Sequence, residues 1–218
     1  MRTIEDILDN NQALKKFLRS FRPLNDMVLC QVFKDKEIGG IIIPETGQQK
    51  GQRCVVLAVG QGGWERDERK PMRVKVGDEI FVAKFAGSEV RIAEENLLIM
   101  HEYDIFGIYT GQRQIDLQPL DNRVFVEWEE GINYFKGSKV QILTSVQAQR
   151  WHYTGIVIAK GEDVKDEGIQ VGKRVFFDQF CGPERVDFEE KRYALINEQD
   201  IYCELPLRSP AEIEVTSQ

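Results

Sequence analysis

Few side chains in this sequence have the chemistry to bind a metal or to attack a substrate. They are four cysteines and two histidines: Cys30, Cys54, Cys181, Cys203, His101 and His152. The cysteines show no Cys-x-x-Cys spacing, and neither histidine has an acid or a cysteine at the spacing of metal ligands. The sequence therefore predicts no catalytic residue, no metal site and no cofactor. The cysteines fit small buried thiols in a reducing compartment.

A short apolar run between loop-forming residues is a better candidate for a binding site. Ile41, Ile42 and Ile43 follow the double glycine Gly39-Gly40 and are followed by Pro44 and, shortly after, by Gln48-Gln49. Three consecutive isoleucines could also form a buried strand. The surrounding glycines, the proline and the uncharged polar pair are typical of a loop tip, so we favour an exposed loop.

Composition and charge exclude several classes of protein. The 218 residues are 42% hydrophobic and 30% charged, which allows a packed core. The formal net charge of −7 and the pI of about 5.1 oppose nucleic-acid binding, because phosphate contacts need a basic surface. No stretch approaches the roughly 20 apolar residues of a membrane span. The first residues, MRTIED, resemble neither a secretory signal nor a transit peptide, so we expect a cytoplasmic protein.

The chain repeats itself. Residues 22–29 (RPLNDMVL) return at 118–125 (QPLDNRVF), which gives an offset of 96 residues (119 − 23 for the prolines). Four further blocks return in the same order: 55–60 at 156–161, 76–81 at 171–176, 85–89 at 180–184 and 102–106 at 198–202. The offset drifts between blocks, so the two copies differ in loop length, whereas the strands are preserved.

Each copy has short β-branched and aromatic runs separated by glycine, proline and acidic turn residues, a pattern typical of a small all-β barrel or sandwich. Helical periodicity is confined to the amino terminus, where Thr3 and Asp6 form a variant capping box. Six apolar residues there fall on one side of a helix: Ile4, Ile7, Leu8, Leu14, Phe17 and Leu18. Such a stripe either docks on a partner or covers its own domain, and we favour the second.

The predicted organisation has five parts. They are a helical extension over 1–20, a first barrel over 21–110, a linker over 111–116, a divergent second barrel over 117–206 and a tail over 207–218. The linker is short, so the two barrels are expected to be held near one another.

From Arg22 to about Tyr109, the first copy resembles the GroES co-chaperonin (chaperonin 10) family. The resemblance rests on the order and spacing of six motifs: RPLND (22–26), GGIII (39–43), VLAVGQG (56–62), VKVGD (74–78), KFAGSEV (84–90) and LLIMHEYDI (97–105). The second copy, from about Leu117 to Leu205, is similar to the same family more weakly and is included through the internal repeat. The resemblance implies two GroES-like β-barrels in tandem.

The resemblance also implies a function. It implies a non-enzymatic lid that caps a GroEL-type chaperonin ring and assists ATP-dependent protein folding. A flexible loop, here over about 34–53, would gain order on binding, with Ile41 and Ile43 as its anchors within the run Gly39, Gly40, Ile41, Ile42 and Ile43. The corresponding second loop, over about 128–154, lacks a double glycine. Its candidates are Val140, Ile142 and Leu143, although its aromatic residues, among them Trp128, could equally pack the loop on its own barrel.

Two further features follow from the family pattern. A roof hairpin is expected over 61–73, with a shorter counterpart over 162–170. Family members join head to tail through terminal strands, so a tandem chain would fill two adjacent ring positions. Whole chains supply even numbers of barrels whereas a sevenfold lid needs an odd number. This leaves open a homo-oligomeric ring that is mismatched or incomplete, a mixed ring with single-domain co-chaperonins, or a different kind of assembly.

Other functions compete with the lid. The barrels could serve only as a scaffold, in a bacterium or in the host cytoplasm if a phage encodes the chain. Zinc-dependent alcohol dehydrogenases contain a GroES-like barrel, but the sequence lacks Gly-x-Gly-x-x-Gly and a Cys/His/Glu cluster. Nucleic-acid binding is opposed by the acidic pI.

Overall fold

The computed structural model describes residues 11–33, 52–83, 85–111, 113, 115–130, 153–178, 184–188 and 191–205. The chain divides into two compact units, Met1–Gln118 and Pro119–Gln218. Each unit is built on one large sheet whose strands, Leu117–Pro119 apart, pair in antiparallel registers. The all-β fold with a short N-terminal helix is therefore confirmed. In the described part of the chain, no helix is both long and apolar enough to cross a membrane.

The first unit contains a helix and a seven-stranded sheet. The helix α1 is Gln12–Leu18 and the strands are β1 Met27–Val32, β2 Gln52–Val59, β3 Trp64–Glu65, β4 Glu68–Arg69, β5 Glu79–Val82, β6 Ser88–Ile92, β7 Glu95–His101, β8 Ile105–Tyr109 and β9 Leu117–Pro119. The order in the sheet is β6-β7-β1-β2-β5-β8-β9, and β3 and β4 form a separate hairpin. A 3-10 turn, Glu102–Asp104, joins β7 to β8.

The second unit repeats this order with six strands. They are β10 Arg123–Glu130, β11 Tyr153–Lys160, β12 Arg174–Phe177, β13 Glu184–Phe188, β14 Lys191–Asn197 and β15 Ile201–Leu205, with a 3-10 turn at Glu198–Asp200. Their order is β13-β14-β10-β11-β12-β15. Position for position it matches β6-β7-β1-β2-β5-β8, so β9 is the strand of the seven-stranded sheet that has no counterpart among the described residues of the second unit.

Local geometry repeats as well. In the first unit Glu102 Oε1 accepts hydrogen bonds from the backbone N–H groups of Arg73 and Val74, at 2.6 and 3.2 Å. In the second unit Glu198 Oε1 accepts from the N–H groups of two residues, Lys165 at 2.8 Å and Asp166 at 2.6 Å. Since Glu198 is the repeat partner of Glu102, the same carboxylate fastens the same loop in both units.

The interior of the second unit shows why alternating sequences form these sheets. Strand β10 turns alternate apolar side chains to one face, and these join apolar residues from the other strands in one buried cluster. Its members are Val124, Val126, Trp128, Val157, Ile169, Val175, Phe177, Ala194 and Ile196. Burial of this face excludes water from the sheet interior and is the main stabilising term of the unit.

Helix α1 packs on the sheet of the first unit. Leu14 is fully buried against Leu29, Val55, Leu57, Ala58 and Leu97. The helix begins at Asn11, whose side chain accepts from the Leu14 N–H at 3.0 Å and donates to Ala93 O at 3.0 Å. The predicted amphipathic helix is thus confirmed over these residues, where it covers its own unit. The predicted start at Thr3 lies outside the described residues.

We expect Leu14→Ala to lower the free energy of unfolding by about 2–5 kcal/mol, because it removes a fully buried side chain and leaves a cavity. Chemical denaturation followed by circular dichroism measures the change. Lys16→Ala on the exposed side of the same helix is the matched control and should change stability by less than about 0.5 kcal/mol. Equal effects of the two variants would contradict the packing role of α1.

Candidate functional site

The first candidate site lies at the open end of the β1–β2 hairpin. The two strands pair antiparallel as far as Val32 and Cys54, and the Phe33 N–H donates to Arg53 O at 2.9 Å. The described residues on either side of 34–51, Phe33 and Gln52, therefore lie at adjacent ends of neighbouring strands. The predicted anchors belong to this segment, and all five lie outside the described residues: Gly39, Gly40, Ile41, Ile42 and Ile43.

The second candidate site has the same position in the second unit. Strands β10 and β11 pair as far as Glu130 and Tyr153, so the residues that flank 131–152 lie opposite each other. Val140, Ile142 and Leu143 fall in this segment and lie outside the described residues. The sequence predicts Trp128 at the start of this loop, but Trp128 lies in β10 and is buried, with its ring centroid 6.4 Å from that of Phe177. The loop assignment of Trp128 is therefore corrected to core.

Side-chain contacts join strands β2, β5 and β8 at the end of the sheet where β2 begins. Arg53 Nε donates to Glu79 Oε2 at 2.7 Å, and the two side chains are only 27% and 12% exposed. The guanidinium carbon of Arg53 also lies 4.3 Å from the centre of the Tyr109 ring. Burial raises the pKa of Tyr109 to about 12, although the neighbouring Arg53 charge opposes the rise. This cluster fixes Arg53, which is the second residue of β2, where the candidate segment rejoins the sheet.

Two of the thiols, Cys30 and Cys54, lie in the interior of the first unit. Cys30 and Cys54 are free and buried, as the sequence predicted. The pKa of Cys54 is raised, first by a hydrogen bond with Cys30 and then by burial, so this thiol stays protonated. Cys203 is exposed, which contradicts the prediction of a buried thiol, because it lies on the edge strand β15. Cys181 lies outside the described residues.

One histidine has a partner that sequence spacing could not reveal. His101 Nδ1 lies 3.0 Å from Asp26 Oδ2, and its ring stacks on Tyr103 with centroids 5.0 Å apart. Asn197 and Asn122 occupy the same two positions in the second repeat. In the first unit, the His101–Asp26 contact joins β7 to the turn before β1. Among the described residues, no group of three or more His, Cys, Asp and Glu side chains is arranged to hold a metal.

The hairpin expected over 61–73 is present as β3 and β4. Trp64 is 62% exposed, and the Arg69 guanidinium carbon lies 4.8 Å from the centre of its ring. An exposed ion pair joins Glu65 to Lys70 across the hairpin. The described counterpart over 162–170 consists of turns, without a strand. The hairpin is a surface feature of the first repeat.

Comparison with known proteins gives one consistent result. The model of the family described as chaperonin 10 Kd subunit matches residues 20–109 and again 116–205. The chain is 30% identical over 191 residues to the 20 kDa chaperonin, chloroplastic, of Arabidopsis thaliana, covering 84% of this chain and 74% of the relative. The protein of the same name from Spinacia oleracea is 29% identical over 195 residues, covering 85% and 75%.

Single-repeat relatives match part of the chain more closely. Co-chaperonin GroES 5 of Rhizobium meliloti (strain 1021) is 47% identical over 92 residues, which is 41% of this chain and 88% of the relative. The long relatives are thus similar across both repeats, and the short one is similar over the length of a single repeat.

We expect Arg53→Met to destabilise the first unit by about 1–3 kcal/mol, because Glu79 would keep its charge in a largely buried position without its cation. Thermal and urea unfolding measure the loss. Lys70→Met breaks the exposed pair with Glu65 and serves as the control, with an expected change within about 0.5 kcal/mol. A neutral Arg53→Met variant would show that the cluster does not stabilise β2.

Proposed function

The chain belongs to the chaperonin 10 family, and we propose that this co-chaperonin caps a GroEL-type chaperonin ring and assists ATP-dependent protein folding. The observation that carries the proposal is the family match to both repeats, each with two paired strands whose connection is the candidate segment. The free, buried thiols Cys30 and Cys54 favour a reducing compartment, and we place the activity in the cytoplasm.

We propose that the segments 34–51 and 131–152 contact the ring. In the first, Ile41 and Ile43 are the anchors within the run that begins at Gly39; in the second, Val140, Ile142 and Leu143 take that part. Burying two isoleucines yields about 3–6 kcal/mol. Fixing each residue of a binding segment costs about 1–2 kcal/mol. One segment alone should therefore bind weakly, and several segments presented together should bind tightly yet reversibly.

Strand β9 supports a proposal for how the lid assembles. The second family match begins at residue 116, yet Leu117–Pro119 hydrogen-bonds to β8 in the sheet of the first unit. By the offset of 96, Phe21–Pro23 is the counterpart of β9, and β15 is the counterpart of β8. In the described part of the chain, Phe21–Pro23 belongs to no strand and β15 has β12 as its one neighbour in the sheet.

Counterpart residues of the two repeats differ in how far they are buried, on both of these edges. Leu24 is 75% exposed, whereas its counterpart Leu120 is 8% exposed. On the other edge, Cys203 is exposed, whereas its counterpart Gly107 is buried. We propose that Phe21–Pro23 of one copy adds to β15 of another, which yields a homo-oligomeric ring. A mixed ring with single-domain co-chaperonins would use the same two edges.

The capping proposal predicts ATP-dependent co-purification with a GroEL-type chaperonin. We expect the double variant Ile41→Ser, Ile43→Ser to lose more than about tenfold in binding, since it removes most of the apolar contact. Ile142→Ser with Leu143→Ser should lose less. Pull-down and refolding of a chaperonin-dependent client measure both. The exposed Val76→Ser is the control and should bind as the natural chain does. No complex with or without ATP would favour the scaffold instead.

The assembly proposal predicts that Leu24→Gln weakens self-association by about tenfold, because burying one leucine contributes about 1.5–3 kcal/mol. Sedimentation velocity over a concentration series measures this. Val171→Gln changes another exposed aliphatic residue, which lies in a turn rather than on either proposed edge, and should leave association unchanged. Equal association of Leu24→Gln and the natural chain would place the junction elsewhere.

A further inference from the structure

We call the pairing of β9 with β8 the junction within the chain, and the proposed pairing of Phe21–Pro23 with β15 of another copy the junction between chains. The first indicates which residues would face each other in the second. The Thr110 N–H donates to Asp116 O at 2.8 Å, which closes the connection between β8 and β9. Only residues 110–116 separate these strands, too few for a parallel crossover, so β8 and β9 run antiparallel. Counting inward from the Thr110–Asp116 pair places Tyr109 opposite Leu117 and Ile108 opposite Gln118. The junction within the chain therefore sets a neutral side chain opposite a neutral one.

At the counterpart positions in the other repeat, this neutral pair becomes a pair of opposite charges. With the offset of 96, Ile108 becomes Glu204 on β15 and Gln118 becomes Arg22 in the segment that precedes the first barrel. We infer that Arg22 of one copy and Glu204 of the next form a cross-strand ion pair that selects the junction between chains. The inference rests on the proposed head-to-tail assembly and names the residues that give it specificity.

Both side chains are accessible for this contact. Arg22 is exposed, and within the described part of the chain it has no ion-pair partner. Glu204 is exposed, and its Oε1 accepts from Lys173 Nζ at 2.5 Å. A carboxylate has two oxygens and about four acceptor sites, so Glu204 can hold Lys173 and Arg22 together. In the assembly, Glu204 would keep its contact with Lys173 and gain a second one with Arg22 of another copy.

The charges also discriminate against wrong junctions. Opposite charges directly across an antiparallel pair stabilise it, and like charges destabilise it. A slip of one residue would move Arg22 to the other face of the sheet and separate it from Glu204. If Phe21–Pro23 of another copy displaced β9 and paired with β8, Arg22 would face the aliphatic side chain of Ile108. The pair therefore favours one edge and one register.

A steric difference makes this electrostatic contribution more important. A Cβ atom on Gly107 would lie 2.7 Å from Gln118 O, which is closer than real Cβ contacts, and 3.0 Å from Leu117 Cδ1, which is tighter than most of them. The counterpart of Gly107 on β15 is Cys203, which has a side chain. An incoming strand must stand further from β15 than β9 stands from β8. The junction between copies is therefore looser than the one within the chain.

Charge reversal tests the inference in the full-length chain. Arg22→Glu alone and Glu204→Arg alone should each weaken self-association by about tenfold, because each sets like charges opposite one another. Mixing the two variants should restore association to within about twofold of the natural chain, since each then offers the charge that the other needs. Sedimentation velocity and native mass spectrometry measure this, and a salt concentration of about 0.5 M should shrink the differences.

The controls separate this inference from the proposed function. Gln118→Glu alters the matching position inside the chain and should leave self-association unchanged, and circular dichroism checks that each variant is folded. Single reversals that associate like the natural chain would overturn the ion pair but not the assembly. A natural chain that stays monomeric at all concentrations would overturn both, whereas ATP-dependent capping is read separately by pull-down.

The steric argument has its own variant. Cys203→Gly should tighten self-association several-fold, and Cys203→Ser, which keeps the Cβ atom, should not. Tightening by both variants would point to the sulfur rather than to the Cβ atom and would contradict the steric argument.

Discussion

Backbone N–H and C=O groups along the outer side of an edge strand need partners, and this requirement organises the tandem chain. Strand β9 meets it for β8 in the first unit. Strand β15 holds the same place in the second unit and, within the described residues, pairs on one side through β12. Phe21–Pro23 holds the sequence place of β9 but belongs to no strand. In the proposed assembly, Phe21–Pro23 of one copy supplies the strand that β15 of another copy lacks, so the copies join head to tail.

Helix α1 contacts the start of the segment Phe21–Pro23. Leu14 fixes the helix to the first sheet, and the helix ends at Leu18, three residues before Phe21. The Phe17 and Phe21 rings stack with centroids 4.9 Å apart, and the Phe21 N–H donates to Phe17 O at 3.0 Å. The extension thus holds the start of the proposed docking segment against its own unit. Less conformational freedom is then lost when that segment pairs.

The all-β class, the tandem repeat and the helical stretch around Leu14 could be predicted from the sequence, because alternation, turn residues and offsets are local signals. The Arg53–Glu79 and His101–Asp26 contacts could not, since only strand register brings those residues together. Burial of Cys203 was predicted wrongly because burial of an edge strand depends on what lies beside it. The pairing of β9 with β8 needs knowledge of the sheet order. Ile41 and Ile43 stay predictions, since they lie outside the described residues.

The connection between β8 and β9 has a consequence for exchange. Residues 110–116 tether the two strands, and Arg113 Nη2 donates to Asp116 Oδ1 at 2.7 Å within that tether. A tethered strand rebinds at an effective concentration set by its linker, independent of how much protein is present. Dilution would therefore break alternate junctions and spare the rest. The species released from any larger assembly would be a covalent pair of repeats, so subunits would be traded two positions at a time.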